Sequence, residues 1–200
     1  MAANEVIQEA KIQTEVEELF VDNFAAIGLD EFDYGCNPNF EFDIELQPGA
    51  KPVLHKVRPM NPEQKQSLRT QIKNWEKSGV VTKAQSPWGA ALVPVRKKNG
   101  KTRWCVDYHD LNALTVKDSF PLPNIRDNLE SLAGCWIFSA IDNTGAYHTM
   151  KVNEDSQNLT TFVSPLGAYK FTRLPFGLTN APSAYAPMVE VILNRLDSKE

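Results

Sequence analysis

The chain has 200 residues, of which 42% are hydrophobic and 23% charged, and a formal net charge of -4, which fits one compact domain or a piece of a larger one. No apolar run approaches the roughly 18 residues that cross a bilayer, and the first ten residues lack the basic and then apolar order of a secretion signal. Three widely spaced cysteines without a CxxC pair argue against a disulfide framework or a zinc site, so we expect an intracellular protein, cytoplasmic or nuclear, with no membrane partner.

The first fifty residues predict an acidic leader. They carry twelve acidic residues against one base, Lys11. Apolar residues at helical spacing predict a weak helix around residues 16–24, and a connection rich in Gly, Asn and Asp follows it. From Phe40 to Leu46 apolar and acidic residues alternate, which predicts a short strand at the edge of a sheet.

Residues 56–103 form a basic block, with twelve bases against two acids. The clearest helix of the chain begins here, because Asn61 is a good N-cap, Pro62 suits the first helical position and Gly79 supplies a stop. Its apolar face consists of Leu68, Ile72 and Trp75. A block this basic could attract phosphates, although a solvated helix face with ordinary lysines would have the same composition.

A β-hairpin is predicted next. Two strand-like runs, 91–97 and 101–107, flank Asn99-Gly100, a dipeptide that tolerates the positive φ of a tight turn. The basic residues near its tip are Arg96, Lys97, Lys98, Lys101 and Arg103. Arginine can grip phosphate oxygens in a bidentate manner and lysine acts as a point charge, but hairpin tips are also where lysines are simply solvated.

The second half of the chain predicts a helix over 124–133, followed by an almost wholly apolar run, 136–141, of the kind buried on both faces of a sheet. Residues 159–163 and 169–173 flank the turn Ser164-Pro165-Leu166-Gly167 and predict a second hairpin.

Asp142 lies at the end of the apolar run, where a strand can fix a carboxylate while the strand end opens toward substrate. Such an aspartate can bind a metal ion, but an aspartate that leaves a strand more often caps the following turn, here Asn143-Thr144-Gly145. Two-metal phosphoryl transfer needs several converging carboxylates, and the spacing of the other acids offers no obvious partner.

The loop Leu174-Pro175-Phe176-Gly177 precedes a last helix, which is expected to begin near Asn180. Its glycine would let a ligand or a nucleic-acid strand approach the backbone closely. An ordinary loop-to-helix turn would have the same pattern.

In their order along the chain, these segments resemble the reverse transcriptases of gypsy-like LTR retrotransposons from about Ile44 to Leu196. The blocks that carry the resemblance are GVVTKAQSPWGAALVPVRKKNGKTRWCVDYHDLNALTVKDSFPLPNI, FSAIDNTGAYH and FVSPLGAYKFTRLPFGLTNAPSAY. The resemblance implies an α+β right-hand polymerase fold, with an acidic leader or connector at 1–50, fingers and the start of the palm at 51–141, and part of an antiparallel palm sheet at 142–200. It implies an RNA-directed DNA polymerase of a Pol polyprotein that uses Mg²⁺, dNTPs and an RNA or DNA template–primer.

The same resemblance assigns site residues. Asp142 matches the first catalytic aspartate, which is a ligand of both Mg²⁺ ions, and Tyr147 matches the aromatic gate beneath the incoming sugar. The residues that match the triphosphate, nucleotide and template contacts are Lys97, Arg103, Asn143 through its backbone amide, Phe176 and Gly177, with Asp107 at a structural position beside them.

The chain also departs from the family. The second pair of catalytic carboxylates, an aromatic-x-Asp-Asp hairpin, is expected beyond Glu200, so we expect this chain to lack the rest of the palm, the thumb and the ribonuclease H region and to be inactive alone. His109 stands where the family usually has Arg, and Ala186 where it usually has Gln. Pro187 falls inside the predicted last helix, where it would cost about 3 kcal/mol unless the helix bends.

Three hypotheses about function stay open at this point. The chain is part of a retrotransposon reverse transcriptase, a non-catalytic module derived from such an element that binds nucleic acid or protein, or an unselected gene product without a stable fold. The first is the leading hypothesis, and in the second the basic fingers simply bind nucleic acid or another protein.

Overall fold

The computed structural model describes residues 13–14, 18, 21–22, 28, 30–96, 98, 100, 102–118, 120, 126, 129–130, 132–136, 138 and 142–197. The helices predicted around 16–24 and over 124–133 lie outside the described residues apart from isolated positions. The described strands are β1 (Asn37–Phe42), β2 (Val81–Lys83), β3 (Ala90–Arg96), β4 (Thr102–Asp107), β5 (Met150–Val152), β6 (Phe162–Ser164) and β7 (Gly167–Phe171). The described α-helices are α1 (Pro62–Lys77), α2 (His109–Leu114), α3 (Glu154–Gln157) and α4 (Ala181–Asp197), with 3-10 turns at Ala146–Thr149 and Asn158–Thr160.

Helix α1 begins as the sequence predicts. The Asn61 side chain accepts a hydrogen bond from the backbone N–H of Gln64 at 2.7 Å, and the Gln64 side chain accepts one from the backbone N–H of Asn61 at 3.0 Å. This reciprocal capping box satisfies two N–H groups that the first turn leaves without helical partners. The helix ends before Gly79, whose φ of +65° suits glycine.

Five strands form one mixed sheet in the order β2-β7-β6-β3-β4. The two predicted hairpins, β3–β4 and β6–β7, are both antiparallel and confirmed, and Gly100 has a φ of +80° in the first turn. The contact that joins the hairpins is parallel, between β3 and β6, and was not predicted. It fixes the β3–β4 hairpin relative to the second half of the chain.

The strand predicted at Phe40 to Leu46 is confirmed with shifted bounds. It forms β1 at Asn37–Phe42 and pairs in parallel with β5, with Phe42 opposite Val152, so both strands are at sheet edges. The chain then stays close to α2, because Leu46 forms an isolated bridge with Thr115. The leader is therefore attached to the body of the molecule through its last third.

Two apolar clusters form the core. In the first, α1 packs on the five-stranded sheet through Leu68, Ile72, Trp75, Leu92, Trp104, Phe162 and Phe171. In the second, β1, β5 and α4 meet through Phe42, Met150, Val152, Leu174 and Met188. The aromatic rings of Trp75 and Phe162 touch edge to face, with centroids 6.3 Å apart.

The sequence predicted that the run 136–141 is buried on both faces, and this prediction is wrong for the described residues Trp136 and Phe138. Trp136 and Phe138 lie 94% and 63% exposed and outside any strand. No described strand pairs with Trp136 or Phe138. By contrast, the predicted last helix is confirmed as α4, which starts at Ala181 and continues through Pro187. Among the described residues, no helix has the length and apolar character needed to span a membrane.

Candidate functional site

A cleft of about 620 Å³, here called the central cleft, opens between the two halves of the chain. One wall comes from α1 and β4 and includes Gln71, Trp75, Arg103 and Trp104. The opposite wall is formed by Gly145, His148, Pro175, Phe176 and Gly177, and the leader adds Glu31, Phe32 and Tyr34. Of the site residues predicted from the sequence, Arg103, Phe176 and Gly177 line this cavity, although they come from distant segments, whereas Asp142, Asn143 and Tyr147 do not line it.

Arg103 and Phe176 meet across this cleft. The guanidinium carbon of Arg103, on β4, lies 5.6 Å from the centroid of the Phe176 ring, within the range of a cation–π contact. Arg103 is exposed and Phe176 is 44% exposed, so both retain surface for a ligand. Lys97, predicted to act beside Arg103, lies outside the described residues.

Tyr147 lies behind Phe176. Its ring is tilted on that of Phe176 with centroids 5.0 Å apart, and the ring of Tyr185 from α4 stands edge-on against it at 5.4 Å. Burial raises the pKa of the Tyr147 hydroxyl, and the neighbouring Tyr185 adds to the effect, so the ring stays neutral near pH 7. Three aromatic side chains thereby form a platform that faces the arginine.

Asp142 and Asn143 precede this platform on an exposed segment. The Asn143 side chain donates a hydrogen bond to the Tyr185 hydroxyl at 2.9 Å, and its backbone carbonyl accepts one from Ala146 N at 3.2 Å. The carboxylate of Asp142 is exposed. Within the described part of the chain, no three His, Cys, Asp or Glu side chains converge, so these residues offer a metal ion one carboxylate and do not make a complete site.

The loop that carries Phe176 is held by Asn112, which the sequence analysis did not single out. Its side-chain amide donates to Gly177 O at 2.8 Å and its side-chain oxygen accepts from Thr179 N at 2.9 Å. Gly177 has a φ of +97°, which glycine tolerates and other residues rarely do. An asparagine at the exposed side of a short helix gives no sequence signal for such a role, because both of its partners are backbone atoms.

His148 is the buried titratable group of the site. Its Nδ1 lies 3.0 Å from Leu174 O, and because a carbonyl only accepts, Nδ1 carries the proton in this contact. Burial lowers the pKa of His148 to about 4, and the nearby Arg173 adds to the lowering. The ring is therefore neutral at pH 7 and acts as an apolar wall between Phe176 and Phe171, with centroids 5.4 and 6.3 Å away.

Asp107 lies beside the cleft wall at the end of β4. Its carboxylate is 3.6 Å from a guanidinium nitrogen of Arg58 and accepts a hydrogen bond from the backbone N–H of His109 at 3.3 Å. His109 is exposed and is the first residue of α2.

The arrangement combines a cation, an aromatic platform and a nearby exposed carboxylate. The cation can bind a phosphate, the platform can support a sugar or a base, and the carboxylate can bind a metal ion. Arg103, Phe176, Tyr147 and Tyr185 contact one another in sequence, and the hydrogen bonds of Asn112 and Asn143 hold the loop at Gly177 and the segment before Tyr147 in place.

A protein-family comparison matches residues 95–200 to the family described as reverse transcriptase (RNA-dependent DNA polymerase). Among curated proteins, the chain is 30% identical over 153 residues to the retrovirus-related Pol polyprotein from transposon 297 of Drosophila melanogaster. That match covers 74% of this chain and 14% of the relative. The Tf2-3 transposon polyprotein of Schizosaccharomyces pombe is 28% identical over 153 residues, covering 76% of this chain and 12% of the relative. The chain thus spans about one seventh or less of these relatives.

Solved structures of foamy virus protease-reverse transcriptase have the same fold. A prototype foamy virus mutant superposes with a TM-score of 0.75 at 22% identity, covering 93% of this chain and 25% of that one. The foamy viral protein in complex with an RNA/DNA hybrid gives 0.74 at 20% identity, covering 91% and 24%. The α+β polymerase fold predicted from the sequence is therefore confirmed for this chain.

Proposed function

The chain belongs to the reverse transcriptase (RNA-dependent DNA polymerase) family, and from this premise we propose that it forms the fingers and the first part of the palm of a retrotransposon Pol polymerase. The gypsy-like LTR lineage, suggested by the order of the sequence blocks, is part of the proposal. So are the boundaries at residues 50 and 141 and a location inside the cell. The complete polymerase would add deoxynucleotides to a primer paired with an RNA or DNA template.

The observation that carries the proposal is the contact of Arg103 with Phe176 in the central cleft, with Tyr147 packed behind the Phe176 ring. Arg103 would neutralise the triphosphate of the incoming nucleotide, and its bidentate geometry suits phosphate oxygens. Tyr147 would lie beneath the sugar, where a ring excludes a 2′-hydroxyl by steric contact. Phe176 and Gly177 would border the new base pair, and Lys97 would add a second positive charge.

The backbone between Asp142 and Ala146 would receive the phosphates. The hydrogen bond from Ala146 N to Asn143 O holds this turn, and Gly145 has a φ of +58° in it. The side chain of Asn143 is engaged with Tyr185, so only its backbone N–H would face a ligand. Since Tyr185 also supports Tyr147, α4 would align the sugar-binding and phosphate-binding parts of the site together.

A nucleic-acid partner is consistent with the basic block at 56–103 and with the RNA/DNA hybrid bound by the structural relative. Phosphate contacts from lysine and arginine would supply affinity without base specificity. We expect a template–primer to lie along the face that carries the β3–β4 hairpin.

Reverse transcriptases depend on a divalent metal, and Mg²⁺ would suit a carboxylate site of this kind. The described residues fit that role only in part, because Asp142 is a single exposed carboxylate. We therefore propose Asp142 as one ligand of a Mg²⁺ ion and assign it no catalytic step. The proposal for this chain concerns binding and positioning.

A salt titration tests the proposal. Binding of an RNA/DNA hybrid with a template overhang is measured by fluorescence anisotropy over a series of KCl concentrations, for the unmodified chain, Arg103→Ala and the control Lys83→Ala. Lys83 is an exposed residue of β2 that does not line the cleft, and its replacement removes the same charge. We expect Arg103→Ala to weaken binding about tenfold and to reduce the salt slope by about 1, and Lys83→Ala to do neither. Absence of binding at low salt, or equal effects of the two variants, would refute it.

A further inference from the structure

The acidic leader folds back into the central cleft. Its residues 30–34 form a tight turn in which the Asp30 side chain accepts a hydrogen bond from Phe32 N at 2.7 Å and the Asp30 carbonyl accepts one from Asp33 N at 3.2 Å. This turn directs Glu31, Phe32 and Tyr34 into the cavity that Arg103 and Phe176 also line. A segment before the first strand is thus a part of the site.

Tyr34 joins both walls of the cleft. Its ring packs edge-on against His148, with centroids 4.8 Å apart, and lies so close to Gly145 that a Cβ there would overlap the ring. Tyr34 also packs against the apolar cluster that contains Trp75 of α1, on the opposite wall, and the Phe32 ring lies edge-on to it with centroids 6.4 Å apart. Tyr34 therefore covers the backbone of the turn that follows Asp142.

The leader brings negative charge to a place where anions are expected to bind. Residues 1–50 carry a net charge of -11, and Glu31 presents an exposed carboxylate in the cavity that contains the guanidinium of Arg103. A carboxylate in that position attracts the arginine and repels phosphate oxygens. A nucleotide or nucleic-acid strand that needed the Gly145 backbone would meet both the Tyr34 ring and this charge.

We infer that the leader segment Asp30–Tyr34 is an internal competitor that occupies part of the central cleft, covers the Gly145 backbone and withdraws when a template–primer binds. The inference rests on the proposed function, since it concerns the regulation of that same site. The leader segment contacts the cleft through one aromatic side chain and a short turn. A ligand with many phosphate contacts can displace such a small contact. The leader would then act as a filter that favours long nucleic acids over isolated anions.

Two substitutions in the full chain test the inference through the affinity for an RNA/DNA hybrid. Tyr34→Ala removes the ring that covers Gly145, and Glu31→Gln removes the charge in the cleft. Glu41→Gln is the matched control, because Glu41 is an exposed leader residue on β1 that does not line the cleft. If the leader occupies the cleft about nine-tenths of the time, Tyr34→Ala tightens binding about tenfold. Glu31→Gln tightens it about threefold and Glu41→Gln has a smaller effect.

Hydrogen exchange on the unmodified chain gives a second readout that does not depend on the stability of a variant. Addition of the hybrid should increase deuterium uptake in residues 30–36, because a displaced turn loses its hydrogen bonds and its packing. Unchanged or reduced uptake would mean that the leader is a fixed wall of the site, and would overturn the inference.

The results separate the inference from the proposed function. If the unmodified chain binds the hybrid and Glu31→Gln and Tyr34→Ala bind it no more tightly than Glu41→Gln, the inference fails and the proposed function stands. If none of the chains binds the hybrid at low salt, both fail.

Discussion

The guanidinium of Arg103 lies over the ring of Phe176, with its central carbon 5.6 Å from the ring centroid, and this contact joins the β3–β4 hairpin to the loop before α4. Because Arg103 is exposed and Phe176 is partly so, we expect the contact to contribute only about 0.5–1 kcal/mol to the free energy of unfolding. Urea unfolding of Arg103→Ala, Phe176→Leu and the double variant measures it as a coupling energy. Additive effects of the two substitutions would show that the side chains do not interact in solution.

Asn112 positions the loop that contains Gly177. Replacement by alanine removes both hydrogen bonds, to Gly177 O and from Thr179 N, and we expect a loss of about 1–2 kcal/mol in unfolding free energy. Asn112→Asp keeps the acceptor for Thr179 N but loses the donor to Gly177 O. We expect this variant to lose more binding free energy for an RNA/DNA hybrid than unfolding free energy. Gln66→Ala is the control, because Gln66 is an exposed residue of α1 whose side-chain hydrogen bond, accepted from Arg69 at 3.4 Å, is long and lies at the surface. Equal stability of Asn112→Ala and Gln66→Ala would contradict the positioning role.

His148 should make the fold sensitive to acid. Its pKa is about 4 in the folded chain and 6.5 in the unfolded chain, so between these values the unfolded chain binds a proton that the folded chain does not. The free energy of unfolding therefore falls as pH drops below about 6.5 and this contribution stops changing below about 4, with a total of up to about 3 kcal/mol. Arg173 faces the ring and disfavours its protonation further.

Urea unfolding at pH 7 and pH 4.5 checks this dependence. His148→Phe keeps an aromatic ring against Tyr34 and Phe171 but cannot take up a proton, so its stability should fall less over the same interval. All other titratable groups are the same in both chains, so their effects on the unfolding free energy cancel in the comparison. The same decline in both chains would exclude His148 as the source.

Local signals were enough to predict much of the fold. The N-cap Asn61, the stop at Gly79 and the turn Asn99-Gly100 act within a few residues, so α1 and the β3–β4 hairpin follow from short-range chemistry. The α+β polymerase fold followed from the resemblance of several blocks in order, and the comparisons confirm it. The roles of Asp142, Arg103, Tyr147, Phe176 and Gly177 stay predictions.

Long-range contacts were not accessible in the same way. The parallel pairing of β1 with β5 depends on register between distant segments. Tyr34 reaches Gly145 because the turn that begins at Asp30 brings the leader back to the cleft. The clamp by Asn112 uses backbone partners and leaves no pattern in the sequence. For the apolar run at 136–141, composition predicted burial, yet Trp136 is 94% exposed. Composition alone cannot predict burial, because burial also requires a neighbouring strand.

Site-specific photo-crosslinking tests the central claim most directly. An RNA/DNA hybrid that carries 5-iodouracil as the first unpaired template base is bound to the full chain, irradiated, and the linked residue is identified by mass spectrometry. The account predicts cross-links to Phe176 of the central cleft or to Tyr147 packed behind it, and loss of the Phe176 cross-link when Phe176 is changed to leucine. Cross-links confined to residues outside the cleft, such as the exposed Trp136, would contradict the assignment of this cleft as the site of the new base pair.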